Sequence, residues 1–124
     1  KLVKLSYFFK VPIDYILGLI NDFNKDDYEF RESLDLKYLG RNIRIIRIIE
    51  GLNQREFALK IKTKPSSISY YESGKMSISS ADLKEMCNTF GFSADWCVGN
   101  TLECIRRDVK IKIKPEEIRN FLNI

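Results

Sequence analysis

The side chains of this chain that could do chemistry are hydroxyls and cations rather than paired acids, bases and thiols. Between Pro65 and Glu72 stand Ser66, Ser67, Ser69 and Tyr70, and around them lie Arg55, Lys62, Lys64 and Lys75. Serine hydroxyls bond base edges or phosphate oxygens, and their small size lets a backbone approach a groove closely. Lys and Arg beside them suit the phosphates of a polyanion. A helix face meant only for water would carry more Lys and Glu. Residues 54–75 hold five basic and two acidic side chains, net +3, whereas residues 21–37 are net −3. This local contrast says more than the whole-chain charge of +4.

Other chemistries find no residues. The chain has no His, which removes the usual general base and with it Ser–His and Cys–His catalysis. Cys87, Cys97 and Cys104 lack C-x-x-C spacing, which with the missing His argues against a zinc site. Nothing resembles a phosphate loop or a cofactor motif, so the expectation is a non-enzyme without a metal or cofactor. Cys87 and Cys97 fall within apolar patterns and read as small core residues, and a reducing cytoplasm is the simplest setting.

The elements that must position the hydroxyl face are short helices. A helical period returns at Leu36, with Leu36, Leu39, Ile43 and Ile46 on one stripe and Gly51 as a stop. Asn53 is placed to cap a helix over 54–61, with Glu56 completing a capping box and Phe57, Ala58 and Ile61 inward. After a tight turn at 62–64, Pro65 suits the first position of a helix over 65–73 that ends before Gly74. Ser79 with Asp82 reads as a second capping box, opening a helix with Leu83, Met86, Cys87 and Phe90 inward. Ser93 caps a last short helix closed by Gly99. Two helices joined by three or four residues, as at 54–61 and 65–73, form a helix-turn-helix pattern. Ala58 is small where the two would cross, and Ile61, Ile68 and Tyr71 are placed to bury.

The stretches "GLNQREFA", "SSISYYESGK" and "FGFSADWCVGN" resemble, in order and spacing, the Cro/C1-type domain of phage repressors and of the xenobiotic-response-element family of bacterial regulators. The resemblance implies an all-α, five-helix lambda-repressor-like DNA-binding domain over residues 36–100. It implies that Gln54 binds a phosphate and helps fix the recognition helix, that Pro65, Ser66 and Tyr70 face bases, and that Ser67 and Lys75 touch the backbone. Arg47 and Glu72 fall on positions that form an internal salt bridge in many members. Three departures stand out: Lys62 where the turn usually has Gly, Lys64 where the N-cap is usually Ser or Thr, and Pro65 where relatives often carry a hydrogen-bonding side chain. They shift weight towards Tyr70 and DNA shape.

Two features fall outside that pattern. "RNIRIIRIIE" has more apolar residues than one face needs, and Ile45, Ile48 and Ile49 point to another side. They are expected to be covered by another segment or by another subunit in a homodimer, the alternative being a broad buried face covered only by residues 100–124. The second feature is a repeat. Moved by 81 positions, Leu2–Leu19 lies without gaps on Leu83–Asn100, so that Leu2, Leu5, Phe9, Asp14, Tyr15 and Gly18 meet Leu83, Met86, Phe90, Asp95, Trp96 and Gly99. Residues 1–20 then read as the last two helices of a preceding helix-turn-helix domain, followed by an acidic linker at 21–35. The alternative is a helical extension with convergent patterning. Either way its apolar residues are expected to pack on Ile45, Ile48 and Ile49 or between chains. Val109–Lys114 alternates with period two like an edge strand, and 114–124 reads as a small amphipathic helix.

The expected function is sequence-specific binding of double-stranded DNA by a dimeric bacterial or phage transcriptional regulator, with a non-catalytic, antitoxin-like assembly module as the alternative.

Overall fold

The computed structural model describes residues 1–102 and the backbone of 104–106 and 111–113. Seven α-helices run in order among these residues: α1 (Leu2–Phe9), α2 (Ile13–Ile16), α3 (Leu36–Ile49), α4 (Gln54–Lys60), α5 (Pro65–Ser73), α6 (Ser80–Phe90) and α7 (Ala94–Val98). Strands β1 (Cys104–Arg106) and β2 (Ile111–Ile113) then form an antiparallel ribbon, Ile105 opposite Lys112. The period-two alternation thus does mark a strand. The expected helix at 114–124 lies outside the described residues.

Capping explains most helix boundaries. The Asp35 carboxylate accepts from the amides of Lys37 and Tyr38 and opens α3. At α4 the reciprocal box forms, with Asn53 accepting from the Glu56 amide at 2.8 Å and Glu56 from the Asn53 amide at 3.0 Å. At α6 only half of the expected box exists. Ser79 Oγ accepts from the Asp82 amide at 3.0 Å. The Asp82 carboxylate turns away, and its Oδ2 accepts from Tyr71 Oη at 2.8 Å and from Thr63 Oγ1 at 3.1 Å. A buried phenol needs an acceptor more than an exposed helix end does.

The apolar excess of α3 has a structural reason. The helix packs against α5 on one side and α7 on the other, so two faces must be apolar. Leu39, Ile43, Ile45 and Ile46 are all buried, while Ile48 and Ile49 are half-buried. Ile45, expected to be covered by another segment or another subunit, is covered within this chain. Gly40 permits the α3–α5 approach, since a Cβ there would collide with the backbone carbonyls of Tyr71 and Glu72. On the α7 side, the buried Asn42 amide donates to the carbonyls of Trp96 at 3.2 Å and Cys97 at 3.1 Å. Those carbonyls lie in the last turn of a short helix, where the Gly99 amide also donates to the Trp96 carbonyl at 3.2 Å. Trp96 itself is a core residue.

The first two helices dock on α7 through α2. The intervening acidic segment contains one 3₁₀ turn at Lys25–Asp27 and is tied to the end of α7. The Glu29 amide donates to the Asn100 carbonyl at 2.7 Å, the Arg31 amide to Asn100 Oδ1 at 2.8 Å, and Arg31 Nε to the Gly99 carbonyl at 2.9 Å.

Candidate nucleic-acid interface

The α4–α5 pair is held by a small buried cluster. Phe57, Ala58, Ile61, Ile68 and Tyr71 are all buried, and the Phe57 ring stacks on Phe90 of α6 at 4.9 Å. The connecting turn closes with the Thr63 amide donating to the Ala58 carbonyl at 2.9 Å. Lys62 sits there at φ 60°, in the left-handed region where glycine is at ease and a side chain is not. The Tyr71–Asp82–Thr63 bonds lock turn, α5 and α6 together. Burial, together with Asp82 beside it, pushes the Tyr71 phenol above its usual pKa, which keeps it a proton donor.

With Ile68 and Tyr71 anchored inward, the opposite side of α5 faces outward. Pro65, Ser66, Ser69 and Tyr70 are exposed, and Ser67 is half-buried at the margin. Ser66, Ser69, Tyr70 and Ser73 fall within an arc of roughly 100°, given about 100° per residue. No side chain caps α5, because Lys64 stands at its N-cap. Its first turn thus keeps the positive end of a helix dipole available to an anion, whereas α4 closes its own first turn. Arg55, Lys60, Lys62, Lys64 and Lys75 are exposed around this face.

Behind the face lies a polar brace. Arg47 Nε meets Glu72 Oε2 at 2.7 Å and Nη2 meets Oε1 at 2.9 Å, a bidentate pair. Arg47 Nη1 also donates to the Leu52 carbonyl at 3.0 Å. Gln54, at the first position of α4, reaches the same carboxylate, with Nε2 at 3.5 Å from Glu72 Oε1. One carboxylate therefore joins α3, α4 and α5 and sets the tilt of α5. Gln54 and Glu72 belong to this brace, while Arg55, Lys64, Ser66, Ser69, Tyr70 and Lys75 are free to meet a ligand.

Sequence reasoning found the hydroxyl face and the brace. It missed Gly40 and Asn42, which set the distances of α5 and α7 from α3. A helical Gly and an Asn within an apolar stripe were their only signals.

A two-helix unit with a short turn, an outward helix braced from behind and a covering pair of helices define a helix-turn-helix protein. The chain belongs to the helix-turn-helix domain family, whose sequence profile matches residues 40–103. It is similar to "Antitoxin PezA" of Streptococcus pneumoniae serotype 4, 32% identical over 90 residues, which is 68% of this chain and 57% of that protein. The chain thus spans little more than half the length of this curated relative. Two solved structures of the clp gene regulator ClgR from Corynebacterium glutamicum are 28% and 29% identical over 56% of this chain. They are covered to 74% and 90% of their own lengths, with TM-scores of 0.49 and 0.48.

Proposed function

We propose that the chain is a DNA-binding module of a bacterial or phage transcriptional regulator, acting in the cytoplasm, with α5 entering the major groove of duplex DNA. The observation that carries the reading is the α5 surface: an uncapped N-terminus, a hydroxyl arc of Ser66, Ser69 and Tyr70, and cations on both flanks. Ser66 and Tyr70 read base edges, Pro65 packs against them, and Ser67, Lys64, Lys75 and Arg55 hold phosphates. Gln54 touches a phosphate while tethered to Glu72, so backbone contact and helix tilt are coupled. No catalytic step is assigned.

A steep salt dependence tests this. With several phosphate contacts, affinity for duplex DNA falls by orders of magnitude between low and physiological salt. A selection from random duplexes followed by titration at 50 and 200 mM salt measures it. A flat response, or no preferred sequence, overturns the reading.

The likeness to an antitoxin favours a second reading, in which the same fold also serves assembly with another protein. A chain that shows no duplex binding at 50 mM salt would leave that reading standing alone. Homodimerisation through α7 has little surface left to use, because α2 occupies it and every α7 residue is buried.

A further inference from the structure

The segments 1–19 and 82–100 have the same local frame. Both first helices end on a left-handed residue, Lys10 at φ 54° and Gly91 at φ 77°. Both short second helices are followed by a left-handed glycine, Gly18 at φ 74° and Gly99 at φ 93°. The Leu19 amide donates to the Asp14 carbonyl at 2.8 Å, and the Asn100 amide to the Asp95 carbonyl at the same distance. The two segments also grip each other reciprocally. The Asp95 carboxylate accepts from the Ile13 amide at 2.8 Å, and the Asp14 carboxylate accepts from the matching Ala94 amide at 2.7 Å. Such an exchange of equivalent contacts is the signature of a two-fold relation.

What differs is cover. Leu5, Phe9, Tyr15 and Ile16 are 47%, 60%, 45% and 39% exposed, whereas their counterparts Met86, Phe90, Trp96 and Cys97 are 0%, 7%, 0% and 0% exposed. In the second segment the cover comes from α3–α5: Phe57 stacks on Phe90, and Asn42 binds the Trp96 and Cys97 carbonyls. An apolar stripe with the same frame, left open, fits the same kind of cover. Charge narrows the occupant. Where α6 carries Glu85, which pairs with Lys62 of the α4–α5 turn at 3.7 Å, α1 carries Lys4. An identical turn from a second copy would set Lys62 against Lys4. A unit with an acidic residue there would not be repelled.

We propose that the Leu5–Phe9 face of α1 seats a second three-helix unit of the α3–α5 kind, carried ahead of α1 on the same polypeptide and bearing an acidic residue at the place of Lys62. The Asp14–Asp95 relation would set that unit opposite α3–α5 across a local two-fold. A unit on the same polypeptide reaches α1 through a link as short as residues 74–79 and docks at high effective concentration. The docking does not depend on DNA binding. The pairing of two reading helices does rest on the proposed function.

The test joins a second copy of residues 36–81 directly ahead of Lys1, once unchanged and once with Lys62→Glu in the added copy. Hydrogen exchange of α1 and binding of a hydrophobic dye are read without DNA, so failure here is separate from failure to bind a duplex. The expected result is that α1 amides exchange at least about tenfold more slowly and dye binding is lost. The Lys62→Glu version should be the more protected, and Phe9→Asp in α1 should reverse both effects. Unchanged α1 exchange in both versions overturns the proposal, and so does an added unit that stays unfolded. Sedimentation of the 124-residue chain decides the rival occupant: a dimer at micromolar concentration that Phe9→Asp disperses would assign the face to a second copy.

Discussion

Asp14 and Asp95, 81 positions apart, cap each other's helices. Asp95 accepts from the amides of Ile13 and Asp14 at 2.8 Å each, and Asp14 accepts from the Ala94 amide and the Ser93 hydroxyl. Both carboxyls are buried, and Asn100 Nδ2 donates to Asp95 Oδ1 at 2.9 Å. This joint connects the first two helices to the rest of the molecule.

The joint makes stability depend on pH. Burial, and then the charge of Asp14, push the Asp95 carboxyl from 3.8 up to about 7, against the hydrogen bonds from Asn100, Asp14 and Ile13. Tyr28, close enough to feel both carboxylates, is raised to about 12, chiefly by burial and next by Asp95 and Asp14, and stays neutral. The Asp14–Asp95 joint therefore binds a proton more tightly in the native state than in the unfolded state between about pH 4 and 7. This contribution is complete below the unfolded pKa and is lost as pH rises through the folded one. Urea unfolding followed by the fluorescence of Trp96 should show stability falling over that window, and Asp95→Asn should remove the slope. Stability that rises instead would mean that the three donors hold Asp95 ionised.

Lys62 in the left-handed region predicts a gain on simplification. The conformation costs about 1–2 kcal/mol for a residue with a Cβ. Glycine relieves it at an entropic cost of about 0.5–1 kcal/mol. Lys62→Gly should then stabilise the chain by up to about 1 kcal/mol, seen as a rise of a few degrees in Tm. Lys62→Ala, which keeps the strain, should not. The Lys62–Glu85 pair, with the lysine side chain 83% exposed, contributes little against this.

How much of this was legible in the sequence depended on whether the signal was local. Asn53 with Glu56, and Pro65 after a short turn, fix α4 and α5 within a few residues. The Arg47–Glu72 brace came through resemblance, because no periodicity pairs residues 25 positions apart. The cover of Ile45 stays open between another segment and another subunit in the sequence, because helical period shows that α3 has a second apolar face but not which neighbour covers it. Asp82 was misassigned for a related reason. Its position fits a capping box, but the competing donors, Tyr71 and Thr63, arrive only with the tertiary fold. The Asp14–Asp95 match was visible as a repeat, yet nothing in one dimension says that the copies face each other.

The brace should behave as a buried pair. The Arg47 and Glu72 side chains are only 17% and 6% exposed. Arg47→Met leaves Glu72 buried without its cation and should cost about 3–5 kcal/mol. Replacing both, Arg47→Met with Glu72→Leu, should cost less than the sum of the single changes. A double-mutant cycle in urea measures the coupling. Additive costs would show that the two groups do not act as a unit.

Neighbouring tyrosines on α5 should separate reading from folding. Tyr71 is buried and bonded to Asp82, so Tyr71→Phe should lower stability by about 1 kcal/mol and leave DNA affinity nearly unchanged once the chain is folded. Tyr70 is 48% exposed on the hydroxyl arc, so Tyr70→Ala should leave Tm nearly unchanged and weaken binding to the selected duplex, by about 1–3 kcal/mol if it reads a base. Its affinity for random duplex should barely move. Lys64→Gln differs again: both duplexes should weaken together, and the slope of log affinity against log salt should become shallower by about 1. Anisotropy titrations on selected and random duplexes at several salt concentrations distinguish the three. If Tyr70→Ala weakened both duplexes equally, Tyr70 would be a backbone contact, and base reading would fall to Ser66 and Ser69 with DNA shape.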